Sequence, residues 1–213
     1  MANKKTSSVR EPRQARSLRT QERLLDAMEF LLQRREPADI TVEDIVERAH
    51  ASVGAFYKRF ASKQDLLPLL LTRLQTNARR ELEEELQKSR WNGHGLIERV
   101  NALIDMFAGV QIQRQRIIRA CVAGRLSASL QMSDQDVADA RASLEAMRRW
   151  LLVCRDQIRH EHPETAVRLG LYLCLQSLQT ALLFETLPPD VSPQMMTAEA
   201  KRMLGRYLSG EAV

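Results

Sequence analysis

An all-α fold is what this sequence predicts, and three observations carry the prediction. Leu, Arg, Ala, Glu, Gln and Met dominate, aromatic residues make up 5% of the chain, and no run of alternating β-branched residues suggests a strand. Apolar residues recur instead at intervals of three and four along most of the length. Proline and glycine gather in separated breaks, at Glu36-Pro37, Trp91 to Gly95, His162-Pro163 and Pro188-Pro189. Together these imply about nine helices: an N-terminal three-helix unit carrying a helix-turn-helix, a connector helix and a C-terminal helical bundle. At 213 residues and 44% hydrophobic content, the chain has ample material for a packed core.

Taken in order, residues 1–16 form a basic arm expected to be disordered alone. A first helix runs from Ser17 or Thr20 to Arg35, burying Leu24, Ala27, Met28, Leu31 and Leu32, and Glu36-Pro37 stops it. Two short helices follow. The first starts at Thr41, whose hydroxyl can cap a free amide while Asp44 answers from the capping-box position, and it turns Val42, Ile45, Val46 and Ala49 to one face. The second begins near Ser52, with Phe56 and Phe60 inward and Gly54, Ala55 and Lys58 outward. Residues 17–61 are thus the expected helix-turn-helix domain.

Ser62 reads as the cap of the connector, residues 62–90, in which Pro68 falls in the second turn and should bend the helix. Trp91 to Gly95 is the candidate boundary before the bundle, residues 91–213. There a helix with Leu96, Val100, Leu103, Ile104 and Phe107 inward precedes one or two more between Gln111 and Leu130, broken near Gly124. Ser133 and Asp136 cap the next, with Val137, Ala140, Leu144, Met147, Leu151, Cys154 and Ile158 on its stripe. A helix from Glu164 to about Leu187 is apolar on more than one face, and Ser192-Pro193 opens the last, with Met196, Ala200, Met203, Leu204, Tyr207 and Leu208. This surplus of apolar surface over 164–187 and 193–208 predicts a homodimer in which a partner supplies the missing cover.

Charge sharpens the functional reading. Residues 1 to 23 hold seven basic groups (Lys4, Lys5, Arg10, Arg13, Arg16, Arg19 and Arg23) against Glu11 and Glu22, so the whole net charge of +5 resides there. A basic arm before a helix-turn-helix can follow phosphates or enter a minor groove. The outward face of the second short helix has no acid, and its small and basic residues suit a major groove about 12 Å wide.

Thr20 to Leu67 resembles the N-terminal domain of the tetracycline-repressor-type (TetR) family of bacterial transcription regulators. The matching residues are TVEDIVERA, Ser52-Val53-Gly54, Phe56-Tyr57-Lys58-Arg59-Phe60 and Ser62-Lys63-Gln64-Asp65-Leu66. The resemblance implies that Tyr57 and Lys63 contact phosphates while Val53, Gly54, Ala55 and Lys58 face bases. With Thr41, Ser52 and Arg59 these are the expected DNA-binding residues. Where the family usually has glycine in the turn, this chain has His50, which must then adopt a left-handed conformation. It also has Ala55 where the family commonly has threonine and Arg59 where it often has histidine.

The expected function is sequence-specific regulation of transcription by a homodimeric repressor on a double-stranded DNA operator, released by an apolar small molecule. Met106, Phe107, Trp150, Tyr172 and Gln176 are the candidate ligand contacts, being large or polar residues on otherwise apolar helices. A constitutive DNA-binding or scaffolding protein of the same fold is the alternative, and a metal-dependent helical enzyme a weaker one. His160 and His162 stand two apart at a helix break, unlike the i, i+4 pair of a helical zinc site, and no phosphate loop or nucleophile elbow occurs. No catalytic residue, metal or cofactor is expected. Cys121, Cys154 and Cys174 sit in apolar stretches as expected free thiols, no apolar run approaches the roughly 18 residues of a membrane helix, and the basic N-terminus lacks a signal-peptide core. These point to the cytoplasm.

Overall fold

The structure is a computed structural model that describes residues 13–127 and 134–210. The described residues form eight α-helices and no strand, in two compact units, residues 1–70 and 71–213. Most of the basic arm, including Lys4, Lys5 and Arg10, and the Ser133 cap lie outside the described residues.

In the first unit, α1 spans Arg13–Leu32, starting before the expected Ser17 and so claiming the last residues of the supposed arm. Residues 13 to 25 contain no glycine or proline and are rich in Arg, Gln, Leu and Ala, which favour the helix. Leu24, Ala27, Met28, Leu31 and Leu32 are all buried, as their spacing requires. A short 3₁₀ turn over Pro37–Asp39 leads to α2 (Val42–Arg48), which packs on α1, and α2 in turn packs on α3 (Val53–Tyr57). The guanidinium groups of Arg34 and Arg48 each lie 3.7 Å from the centre of the Phe30 ring, joining α1 to α2 through cation–π contacts.

Both ends of α2 are closed by hydrogen bonds. Thr41 Oγ1 accepts from the Asp44 amide at 3.1 Å while Asp44 Oδ2 accepts from the Thr41 amide at 2.8 Å, completing the capping box. At the other end the amide of His50 donates to Glu47 O and that of Ala51 to Val46 O, the pairing of a Schellman motif. That motif needs a left-handed residue, and His50 takes it at φ 49°. Ser52 Oγ then caps α3 by accepting from the Ala55 amide at 3.1 Å. A second capping box, Ser62 with Asp65, opens a 3₁₀ turn that runs into α4 (Leu66–Leu86). Pro68 therefore falls in the first turn of α4, not the second, where its missing N–H has no intrahelical acceptor to lose and no bend need follow.

The second unit comprises the rest of α4 with α5 (Leu96–Ser127), α6 (Asp134–Leu152), α7 (Pro163–Phe184) and α8 (Pro193–Ser209). One continuous α5 replaces the two or three helices expected between Leu96 and Leu130. It contains no proline, and each of its glycines costs only about 1 kcal/mol relative to alanine, too little to end a helix packed on α7 and α8. The division between units falls inside α4 and not at Trp91 to Gly95. That segment is fastened to the bundle by the buried Arg99, which donates to the carbonyls of Trp91, His94 and Trp150 and lies 4.6 Å over the Trp150 ring. Trp91 packs edge-on against Trp150 at 5.3 Å. Asp136, expected as a cap, is buried in the first turn of α6 and accepts from Thr72 Oγ1 at 3.2 Å. α6 also stops at Leu152, short of Cys154 and Ile158, which are buried beyond it.

Within this unit α7 is central, burying Val167, Leu171, Leu175, Leu178 and Leu182 against α5, α6 and α8. Among the described residues it is also long and apolar enough to cross a membrane, contrary to the expectation that no apolar run approaches that length. Its buried leucines serve the bundle core. A Cβ at Gly170 would lie 2.8 Å from Leu204 Cδ1, so its absence lets α8 approach closely. Cys121 and Cys154 are buried and Cys174 half-buried, and burial pushes the Cys154 thiol up and that of Cys174 up to about 11, so neither of these two supplies thiolate at neutral pH.

Two predictions follow from the caps of α2. The backbone and hydroxyl hydrogen bonds from Thr41, with Arg35 3.0 Å away, hold the Asp44 carboxyl down to about 2. Because the folded pKa lies below the unfolded one, this contribution is full above about pH 4 and fades toward pH 2. Asp44→Ala should therefore lower the denaturation midpoint at pH 7, with the deficit shrinking in titrations from pH 4 to pH 2. His50→Gly should raise stability by about 1 kcal/mol in urea unfolding, because glycine carries no Cβ penalty in the left-handed region.

Candidate nucleic-acid interface

The caps that set α2 and α3 also decide which polar groups face outward. Ser52 Oγ is committed as an acceptor to the Ala55 amide, leaving its hydroxyl proton to donate. Thr41 Oγ1 accepts from the Asp44 amide and donates to Asp44 Oδ2 at 2.8 Å, so its one proton is not spare. Arg59 folds back, with Nη1 donating to Ala55 O at 2.8 Å and Nη2 to Ser17 Oγ at 3.1 Å on α1. Lys63 directs its ammonium at the carbonyls of Pro37, Ala38 and Ile40. Three donors meeting three acceptors tie the loop before α2 to the turn before α4. The expected phosphate contacts from Arg59 and Lys63 would compete with these internal partners.

Four residues remain outward on α3. Val53 is 40% and Tyr57 55% exposed, Gly54 and Lys58 are exposed, and a Cβ placed on Gly54 would meet nothing within 4 Å. The Lys58 side chain makes no hydrogen bond or ion pair with any described residue. Ala55 is half-buried, with its carbonyl taken by Arg59. Behind this face Phe56 is fully buried and packs against Phe60 at 5.5 Å and edge-on against Tyr57 at 5.4 Å. The Tyr57 ring is therefore oriented by the core while its hydroxyl end is available. Neither Glu nor Asp occurs between Ser52 and Phe60.

A second candidate site lies within the other unit. The helices α4, α5 and α6 line a half-open cavity of about 390 Å³, within the size range of small-molecule pockets. Met106 and Phe107, two of the candidate ligand contacts, line it. Trp150 does not, being packed against Trp91 and Arg99, while Tyr172 and Gln176 stand exposed on α7. Residues missed in the sequence complete the lining, notably Gln75, Arg79, Gln111 and Asp139. A signal was present, since Gln75 and Arg79 are four apart on α4 and Asp136, Asp139 and Ser143 share one face of α6. Among the described residues no group of His, Cys, Asp or Glu is arranged to hold a metal ion.

Comparison with known proteins supplies independent grounds. Residues 24–69 match the pattern of "bacterial regulatory proteins, tetR family". No curated protein matches the chain. Among solved structures, a TetR-family transcriptional regulator from Pectobacterium atrosepticum superposes with a TM-score of 0.64 at 19% identity, covering 95% of this chain and 98% of its own. A TetR transcriptional regulator from Rhodococcus sp. RHA1 does so at 0.52 and 20% identity, covering 93% and 100%. FadR from Thermus thermophilus, a TetR-family transcriptional repressor in complex with lauroyl-CoA, gives 0.55 at 21% identity, covering 91% and 95%. At these identities the structures establish a shared fold, and the N-terminal match establishes the kind of domain. The helix-turn-helix unit, set by two capping boxes and a left-handed His50, thus matches the tetR family of bacterial regulatory proteins, on a chain with the fold of TetR-family transcriptional regulators.

Proposed function

We propose that this chain is a homodimeric repressor in the cytoplasm that reads a near-palindromic operator with two copies of α3 and leaves it when a small molecule enters the cavity of the bundle. The observation that carries the DNA-binding part is the outward face of α3, where Val53, Gly54, Tyr57 and Lys58 are exposed without any acid nearby in sequence. Val53 and Gly54 allow close backbone approach to bases, Lys58 meets phosphate or guanine, and Tyr57 and the Ser52 hydroxyl donate to phosphate. Ala55 lies at the edge of this face. Arg59, Lys63 and Thr41 act by holding it in position.

A dimer is supported by apolar surface that the chain leaves uncovered. Leu169, Tyr172, Leu173 and Phe184 on α7, with Met195, Met203 and Tyr207 on α8, are all 43% exposed or more. Such a surface on the two terminal helices suits a two-fold interface, which would set the two copies of α3 one turn of DNA, roughly 34 Å, apart. The effector is supported by the cavity and by the lauroyl-CoA held in the Thermus FadR of the same fold.

Binding to DNA upstream of the protein's own gene, measured against random DNA over a salt series, tests the central part. Lys58→Ala should weaken binding and reduce the slope of log K against log salt by about 1, the amount for one lost phosphate contact. Equal affinity for upstream and random DNA would reject the proposal. Leu173→Glu should leave the fold intact, since that side chain is 63% exposed, while shifting sedimentation from dimer to monomer and weakening operator binding. An unaltered dimer would place the interface elsewhere.

A further inference from the structure

The lining of the bundle cavity is polar in a directed way that an apolar effector would leave unanswered. Gln111 is only 7% exposed and its Oε1 meets no donor, and the Oε1 of Gln75 on α4 is likewise buried without one. Buried acceptors in this condition are uncommon in folded proteins. Asp139 is 8% exposed, and both of its side-chain hydrogen bonds, from Arg79 and from Gln135 at 3.0 Å, go to Oδ1, so Oδ2 receives no donor among the described residues. One guanidinium, that of Arg79, faces the cavity beside the carboxylates of Glu81, Glu85, Asp136 and Asp139. Arg79 is already held by Glu83 and Asp139, Arg114 pairs with Glu81, and Lys88 and Arg90 pair with Glu85.

We propose that the cavity takes an amphipathic organic cation, a primary or secondary ammonium carried on an apolar body. This deepens, and rests on, the reading of the cavity as an effector site. The ammonium donates to Asp139 Oδ2 and, with their amide planes turned toward the cavity, to the orphan oxygens of Gln75 and Gln111, and the body lies against Leu82, Leu103, Met106, Phe107 and Met147. An anionic head would have to take Arg79 from Glu83 or Asp139, bring a charge toward four carboxylates and still leave both amide oxygens unmet. A purely apolar ligand fills the volume and leaves both oxygens without a donor.

Calorimetry on the full-length protein at pH 7 with octylammonium, octanoate and octanol compares three heads on one tail. Octylammonium should bind at least about tenfold more tightly than either of the others. Gln111→Leu should remove about tenfold of that affinity while leaving octanol binding within about twofold, without lowering the unfolding midpoint, since the amide oxygen has no partner to lose. Gln75→Leu serves as a second variant with the same expectation should Gln111→Leu fail to fold. Octanoate binding as tightly as octylammonium overturns the cationic class while keeping the cavity as an effector site. Amine affinity unchanged by the leucine substitutions also overturns it. Binding of none of the three probes overturns both the class and the effector reading.

Discussion

The break between α2 and α3 depends on satisfying every backbone group that two helix ends expose within a few residues. A buried amide or carbonyl without a partner costs about 1–3 kcal/mol, so a turn this tight exists only if each has one. Here the His50 and Ala51 amides close α2, and the Ser52 hydroxyl opens α3 immediately afterwards. His50 meets the geometric demand by accepting a left-handed backbone that glycine would take more easily. The Thr41–Asp44 box fixes the other end of α2, so the direction in which α3 leaves is set by hydrogen bonds at both ends of its neighbour.

That arrangement divides the polar side chains into two groups. Thr41, Arg59 and Lys63 are engaged internally and hold the scaffold, while Lys58, Tyr57 and the Ser52 proton remain for an external partner. A side chain locked by neighbours delivers its contacts without a large entropic loss on binding. Buried Phe56 does this for Tyr57, since the ring-to-ring packing orients the tyrosine before any partner arrives. In the bundle the logic is reversed: most polar groups find partners, and among the exceptions Gln75 and Gln111 belong to the lining of one cavity.

Features of the first unit were legible in the sequence because the interactions that make them are local. A capping box spans four residues, a buried stripe repeats every three or four, and a turn is fixed by the residues on either side of it. Thr41, Asp44, Ser52 and the left-handed His50 could all be placed from spacing and from the family resemblance. The bundle was less legible, since its decisive contacts join distant residues. Arg99 reaches back to Trp91 and across to Trp150, turning an apparent boundary into a packed corner in which Trp150 lies outside the cavity lining. Packing on α7 and α8 carries α5 past Gly124, where a break was expected. The polar lining of the cavity was overlooked because residues on charged helix faces read as solvated until the facing helix is known.

The central claim is that Thr41 to Lys63 presents α3 to a DNA major groove from each half of a dimer. Footprinting of the full-length protein on fragments it selects from its own genome tests this most directly. The account predicts two protected major-groove segments related by a near two-fold axis, their centres about one helical turn apart, with protection lost in Lys58→Ala at a protein concentration that saturates the wild type. Selection of no common fragment, or protection that persists unchanged in that variant, would contradict it.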